Sequence, residues 1–232
     1  MSALADIGAM LAQDGLIVRG GFRFGTGEDA PSGPEGLPAD AVLLIGNRGG
    51  EMWPHFRSWQ AEQPSNPVNP LDTWSRMVIG HVAAHFGARA VSPSDRPFLP
   101  FQQWGIRAER LKPSPMGILM HPRFGLWYAY RGALLLSPGL LADEVHVLNQ
   151  AAADPIHLCD LCVGKPCLKA CPVDAHSTSG FDYRACLAHV RSADGAPCRD
   201  TGCLDRNACP YGVEWRYPSD MQAFIMAAFA GL

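Results

Sequence analysis

Apolar residues recur along this chain in several different rhythms, and each rhythm predicts an element. Residues 2–14 repeat at helical spacing and stop at Gly15, so they read as a short amphipathic helix with glycine just past its end. Leu16 to Phe24 alternates as a strand does. Residues 25–40 are rich in glycine, proline and glutamate and read as a loop. Ala41 to Gly46 is a continuous apolar run, the pattern of a buried strand. It leads through Asn47-Arg48-Gly49-Gly50 into a helix over about residues 51–63. The glycines there do not form G-x-G-x-x-G, so the turn is either a plain strand-to-helix connection or a backbone nest for an anion or a flat cofactor. Asn69-Pro70-Leu71-Asp72 opens a helix that runs to about Phe86, residues 91–99 are loop, and Pro100 to Leu111 is a further helix. Gly117 to Met120 and Leu126 to Leu136 read as a strand pair joined by His121-Pro122-Arg123-Phe124-Gly125. Residues 138–154 form a link, and Met221 to Phe229 forms a short apolar helix that could dock back on the core.

A length of 232 residues suits one large domain, or one domain plus a small one. Apolar residues make up 47%, an ordinary globular share, while charged residues are sparse at 18% and the net charge is −3. No clustered basic face is visible, which argues against nucleic acid as a partner. The N-terminus has no basic region and already carries Asp6, so it is a poor secretory signal. No apolar run approaches the roughly 20 residues that span a bilayer. These readings predict a cytoplasmic protein whose thiols stay reduced.

That prediction decides how the cysteines are read. All eight lie between Cys159 and Cys209. The first four, Cys159, Cys162, Cys167 and Cys171, form C-x2-C-x4-C-x3-C-P, and the others are Cys186, Cys198, Cys203 and Cys209, the last again followed by proline. Eight thiols suit two [4Fe–4S] clusters at four ligands each, and the Cys-Pro ending is the ferredoxin signature. Zinc also takes four thiolates at C-x2-C spacing, but a ribbon presents two well-separated knuckles. Here four cysteines crowd into the thirteen residues from 159 to 171, which favours iron–sulfur. The x4 step resembles the run found in electron-transfer subunits of molybdenum oxidoreductases. If ferredoxin ligand exchange holds, Cys159, Cys162 and Cys167 share a cluster with Cys209, and Cys171 joins Cys186, Cys198 and Cys203.

A second concentration of chemistry lies in residues 117–136. A core hairpin wants aliphatic residues and a two-residue turn, whereas this one gathers His121, Arg123, Arg131 and the aromatics Phe124, Trp127, Tyr128 and Tyr130. On a strand Trp127, Ala129 and Arg131 share one face, with Tyr128 and Tyr130 on the other. That face suits a flat, partly charged ligand lying over Ala129 with Arg131 at its polar edge. A core tryptophan with an arginine at the rim is the competing reading. His81 and His85, four apart, read as surface or core histidines. His157 and His189 lie near the cysteines and could carry a proton.

His121-Pro-Arg-Phe-Gly125-x-Trp127-x-Ala129-x-Arg131-Gly132 resembles the corresponding stretch of the cobalamin-processing chaperones of the cblC type. Asn69-Pro70-Leu71-Asp72, after Pro54-His55-Phe56, is similar to their Asp-Pro-Val-Asp helix start. The cysteine segment resembles that of reductive dehalogenases and epoxyqueuosine reductase, in which such a body precedes two [4Fe–4S] clusters. The resemblance implies an α+β protein. Residues 1–154 would be a nitroreductase-like body with a mixed, largely antiparallel sheet and flanking helices, and residues 155–232 a small ferredoxin-like domain. It implies a corrin pocket lined by Trp127, Ala129 and Arg131, with His121 nearby and with Gly117 and Gly125 permitting close backbone approach. It further implies a corrinoid-linked reductase supplied by an external electron donor such as a ferredoxin, a flavodoxin or a reductase. Two other readings stay open: a ferredoxin-type carrier without corrinoid, and a flavin reductase using FMN, for which only Arg19 and Arg23 offer phosphate-holding groups early in the chain.

Overall fold

The computed structural model describes residues 2–65, 67–141, 144 and 156–232. The expected link over 138–154, and the expected boundary at 154/155, lie largely outside the described residues. The chain forms two compact units, Met1–Arg110 with Ala129–Asp154, and Leu111–Tyr128 with Pro155–Leu232. The segment 111–128, expected in the N-terminal body, therefore belongs to the unit that carries the cysteines.

The first unit is built on a four-stranded sheet in the order β1-β2-β6-β3. Its strands are β1 (Ile17–Arg23), β2 (Ala41–Arg48), β3 (Arg89–Val91) and β6 (Tyr128–Leu136). β1 runs antiparallel to β2, and β3 antiparallel to β6. Asp40 N–H bonds the Leu136 carbonyl, while a Cβ on Gly46 would strike the Ala129 carbonyl at 2.2 Å. Residue number thus rises along β2 as it falls along β6, and the described sheet is antiparallel throughout rather than mixed. Gly46 is glycine because the neighbouring strand leaves no room for a side chain.

Helices cover both faces. α4 (Phe101–Glu109) lays Phe101, Trp104 and Ala108 on Phe22, Val42, Leu44, Ala133 and Leu135. The alternate residues Leu43, Ile45, Leu134 and Leu136 are also fully buried, and the period of two puts them on the opposite face. That face carries α1 (Ala3–Ala12) and α3 (Pro70–Phe86): the α1 side chains Ile7 and Leu11 are buried, and a Cβ on Gly132 would meet Ile79 of α3 at 2.6 Å. Burial on both faces explains why β2 reads as an unbroken apolar run. α2 (Trp53–Glu62) joins α3 through Phe56 and Trp74, whose ring centroids are 6.0 Å apart. The register of β1 slips between Val18 and Gly20, a bulge that re-aims Arg19.

The second unit is made of short pieces. β4 (Lys112–Pro113) pairs with β5 (Leu119–Met120), and β7 (His176–Ser177) with β8 (Gly180–Phe181). The expected strand pair of 117–120 with 126–136 does not form. β5 turns back on β4, and the residues between are held by a single bridge, His121 with Gly125. Among the described residues this unit also has α5 (Leu158–Leu161), α6 (Tyr183–Arg191), α7 (Ala196–Thr201), α8 (Leu204–Asn207) and α9 (Ser219–Ala230). Asp182 caps α6 by accepting the Ala185 N–H at 3.0 Å. α9 closes on Gly202, where a Cβ would fall 2.1 Å from Gln222 Oε1.

Candidate functional site

All eight cysteines are free thiols. They assemble into two sets by burial and mutual proximity. Cys159, Cys167 and Cys209 share an apolar cluster with Met116, Met120 and Leu126, against which Ile118, Leu158, Leu168, Tyr211 and a further thiol, Cys203, pack. Burial, and then the nearness of the Cys209, Cys167 and Cys162 thiols, pushes Cys159 up to about 11. Cys171, Cys186, Cys198 and Cys203 line one cavity together with Pro172, His176, His189 and Met226. There burial, followed by Cys203, Cys171 and Cys198, pushes Cys186 up to about 11. Backbone donors face several sulfurs: the Ala175 N–H lies 3.3 Å from Cys171 Sγ, and N–H groups of Leu204, Arg206 and Tyr211 partly offset the burial of Cys198, Cys203 and Cys209. These donors would meet thiolate or sulfide in preference to neutral thiol.

The sequence places the connection between the sets in α8, which runs from Cys203 of one toward Cys209 of the other. Asp205 on this helix is fully buried. Its two oxygens meet the Ala170 N–H at 3.0 Å and His176 Nδ1 at 2.8 Å. Arg206, next along, donates to the Leu126 carbonyl, and its guanidinium carbon lies 4.7 Å from the ring centroids of both Trp127 and Tyr217. Neither residue stands out by spacing or motif. The available signal was only that each lies between two cysteines.

Of the six residues expected at a corrin pocket, Gly117, His121, Gly125 and Trp127 lie in the second unit, and Ala129 and Arg131 in the first. Gly117 ends a turn whose N–H bonds Ser114 at 2.9 Å, and a Cβ there would meet open space. His121 accepts the N–H groups of Arg123 and Phe124 on Nδ1, each at 3.0 Å, and stacks on Phe124. Gly125 takes φ +58°, and a Cβ would lie 2.4 Å from the Tyr211 carbonyl oxygen, so its close approach is to the chain itself. Trp127 is fully buried, with its ring edge-on to Tyr217 at 5.5 Å. Arg131 donates from Nε to Asn47 Oδ1 at 3.0 Å. Asn47, fully buried near the end of β2, holds its amide on the Gly49 carbonyl at 2.9 Å. Arg131 also lines a cavity with Arg76, Ile79, Ser92 and Asp95.

The remaining histidines and arginines sort simply. His81 and His85 are exposed on α3. Arg19 is paired with Glu109 at 2.8 Å and Arg23 with Asp40 at 2.7 Å. Among the described residues no group of three or more His, Cys, Asp or Glu is arranged to hold a metal ion. Among the same residues no helix is long and apolar enough to cross a membrane.

No protein-family model matches the sequence, and no curated protein does so. Among solved structures the chain is similar to the B12-trafficking protein CblC of C. elegans, a homologue of human MMACHC. That likeness has a TM-score of 0.50 and 17% identity, and covers 98% of this chain and 93% of the other. At this identity the likeness is one of fold: an antiparallel sheet with flanking helices, arranged as in CblC.

Proposed function

We propose that this chain is a corrinoid-binding redox protein with two [4Fe–4S] clusters, one on Cys159, Cys162, Cys167 and Cys209 and one on Cys171, Cys186, Cys198 and Cys203. The observation that carries the reading is eight reduced thiols gathered four and four in a chain whose fold is that of a B12-trafficking protein. The donor set fits the group. Each thiolate of a cubane binds a different iron, so its ligands stand further apart than those around a single ion. Four cysteines per set are the ligands such a cluster takes. The apolar lining of Met116, Met120 and Leu126 and the inward backbone N–H groups are the surroundings such a cluster uses to set its potential.

When bound, the clusters would supply one-electron transfers and the corrinoid a reducible cobalt. The chain's own part is to bind and exclude. Met116, Ile118, Met120 and Leu126 keep water from the first set. His176, fixed by buried Asp205, and His189 stand at the second. Arg131, held by Asn47, would set a fixed positive charge beside a ligand carbonyl. An external donor of the ferredoxin, flavodoxin or reductase kind would supply electrons, in a reducing, cytoplasmic setting.

The test is an anaerobic titration of the cluster-reconstituted protein with cob(II)alamin, followed by visible and EPR spectra. A saturable shift to a base-off or four-coordinate signal is expected. Two reducible clusters with no shift would make the protein an electron carrier instead.

A further inference from the structure

Lys165 lies in the step between Cys162 and Cys167, and its ammonium is turned inward. Gly164 and Lys165 take φ values of +85° and +44°, which reverse the chain at this point. The Lys165 carbonyl accepts the Leu168 N–H at 3.0 Å and closes a turn over Cys167. Lys165 Nζ donates back to the Cys159 carbonyl. The positive charge is thereby tied to the backbone of the stretch 159–167, which carries Cys159, Cys162 and Cys167 of the first set.

The same turn gave this side chain a way out to water. Val163 is 96% exposed, and a Cβ on Gly164 would meet nothing, so the outer side of the turn is open. An ammonium is strongly hydrated and its stem is flexible, so a lysine with nothing to hold it stays in solvent. Lys165 is instead half-buried, and it has no carboxylate partner among the described residues. The Cys159 carbonyl does not require it, because the Cys162 N–H already bonds that oxygen at 3.2 Å. The thiols around it pack among apolar side chains, Met116, Met120 and Leu126, where a charge is weakly screened. Negative charge carried on those sulfurs would account for a cation held at this place.

Resting on the iron–sulfur part of the reading above, we propose that Lys165, with its ammonium held on the Cys159 carbonyl, is a fixed counter-cation for the set Cys159, Cys162, Cys167 and Cys209. It favours the reduced state of the cluster on that set. One electron from the external donor enters and no bond forms or breaks, so the cluster and its thiolates become one charge more negative. A fixed positive charge lowers the free energy of that state more than that of the oxidised one. Lys169 provides an internal contrast. It lies two residues after Cys167, but it is exposed and its charge is screened by water.

The experiment is an EPR-monitored reductive titration of reconstituted full-length protein, with iron and sulfide measured first. Lys165→Met and Lys165→Gln should make one of the two one-electron steps harder by about tenfold, or about 59 mV. That step should be the one missing from Cys159→Ser protein. Lys165→Arg should stay close to wild type, and Lys169→Gln should shift either step by less than Lys165→Gln does. Loss of that cluster from both uncharged variants, with retention in Lys165→Arg, would equally show that the charge is needed. Wild-type cluster content with unmoved potentials in both uncharged variants would overturn the proposal, as would a shift in the other step. Loss of the cluster from all three variants would overturn it too, and would assign Lys165 to the shape of the turn. Wild-type protein that assembles no cluster would overturn the iron–sulfur reading from which the proposal follows.

Discussion

Arg131 holds its guanidinium on a fully buried amide, Asn47, and so keeps its charge in a set position. Arg131→Ala should weaken cob(II)alamin binding about tenfold, about 1.4 kcal/mol, the order expected for one charge-assisted hydrogen bond. Cluster absorbance should be unchanged, since this residue and the thiols belong to different units. Equal affinity in wild type and variant, measured in the same spectral titration, would remove Arg131 from the site. Trp127 shows how two readings of one residue separate. The alternation of Trp127, Ala129 and Arg131 was legible, but strand β6 begins only at Tyr128. Trp127 therefore faces Arg206 and Tyr217, and its full burial agrees with the core reading.

At the scale of elements, rhythm and punctuation were good guides where helices and strands are long. The runs of β1, β2, α3 and α4 were legible because each buries a stripe or a face at its own period. The 117–136 hairpin was misread because β5 has only two residues, and β4, separated from it by the five residues 114–118, satisfies it. No alternation is visible at that length. The position of 111–128 was hidden for a different reason: its apolar residues Met116, Met120 and Leu126 cover cysteines more than thirty residues further on, and periodicity carries no long-range partner. The division of the thiols is the motif's expectation carried into the proposal, and it makes a sharp prediction. Cys209→Ser should lose the same cluster as Cys159→Ser, although the two residues are far apart in sequence. Cys171→Ser and Cys198→Ser should lose the other. Iron content should fall by about half in each, with two distinguishable EPR spectra among the four variants. A common phenotype for Cys159→Ser and Cys171→Ser, neighbours in the first motif, would refute the division.

The two units differ in what holds them together. The first has a continuous apolar sheet with helices on both faces. The second has two-residue strands and short helices, and four of its buried residues, Cys159, Cys167, Cys198 and Cys209, are themselves thiols. A core of this kind depends on what the thiols bind, because ligand binding is then part of folding. Iron removal by a chelator should therefore expose residues 156–232 to protease while the sheet of the first unit persists. Peptide mapping after limited proteolysis reads this directly, and equal resistance with and without iron would count against a structural contribution from the clusters.

The order of the chain adds one consequence. It leaves the first unit after Arg110, returns at Ala129 and leaves again after Asp154. No single cut separates the two units. A fragment beginning after Asp154 would lack the methionines and leucine that cover the first thiol set, and a fragment ending there would carry that cover with nothing beneath it. In evolutionary terms the thiol-bearing part is not a detachable cassette. Exchanging it between proteins would mean moving two separate stretches of chain, 111–128 and the part from Pro155 onward.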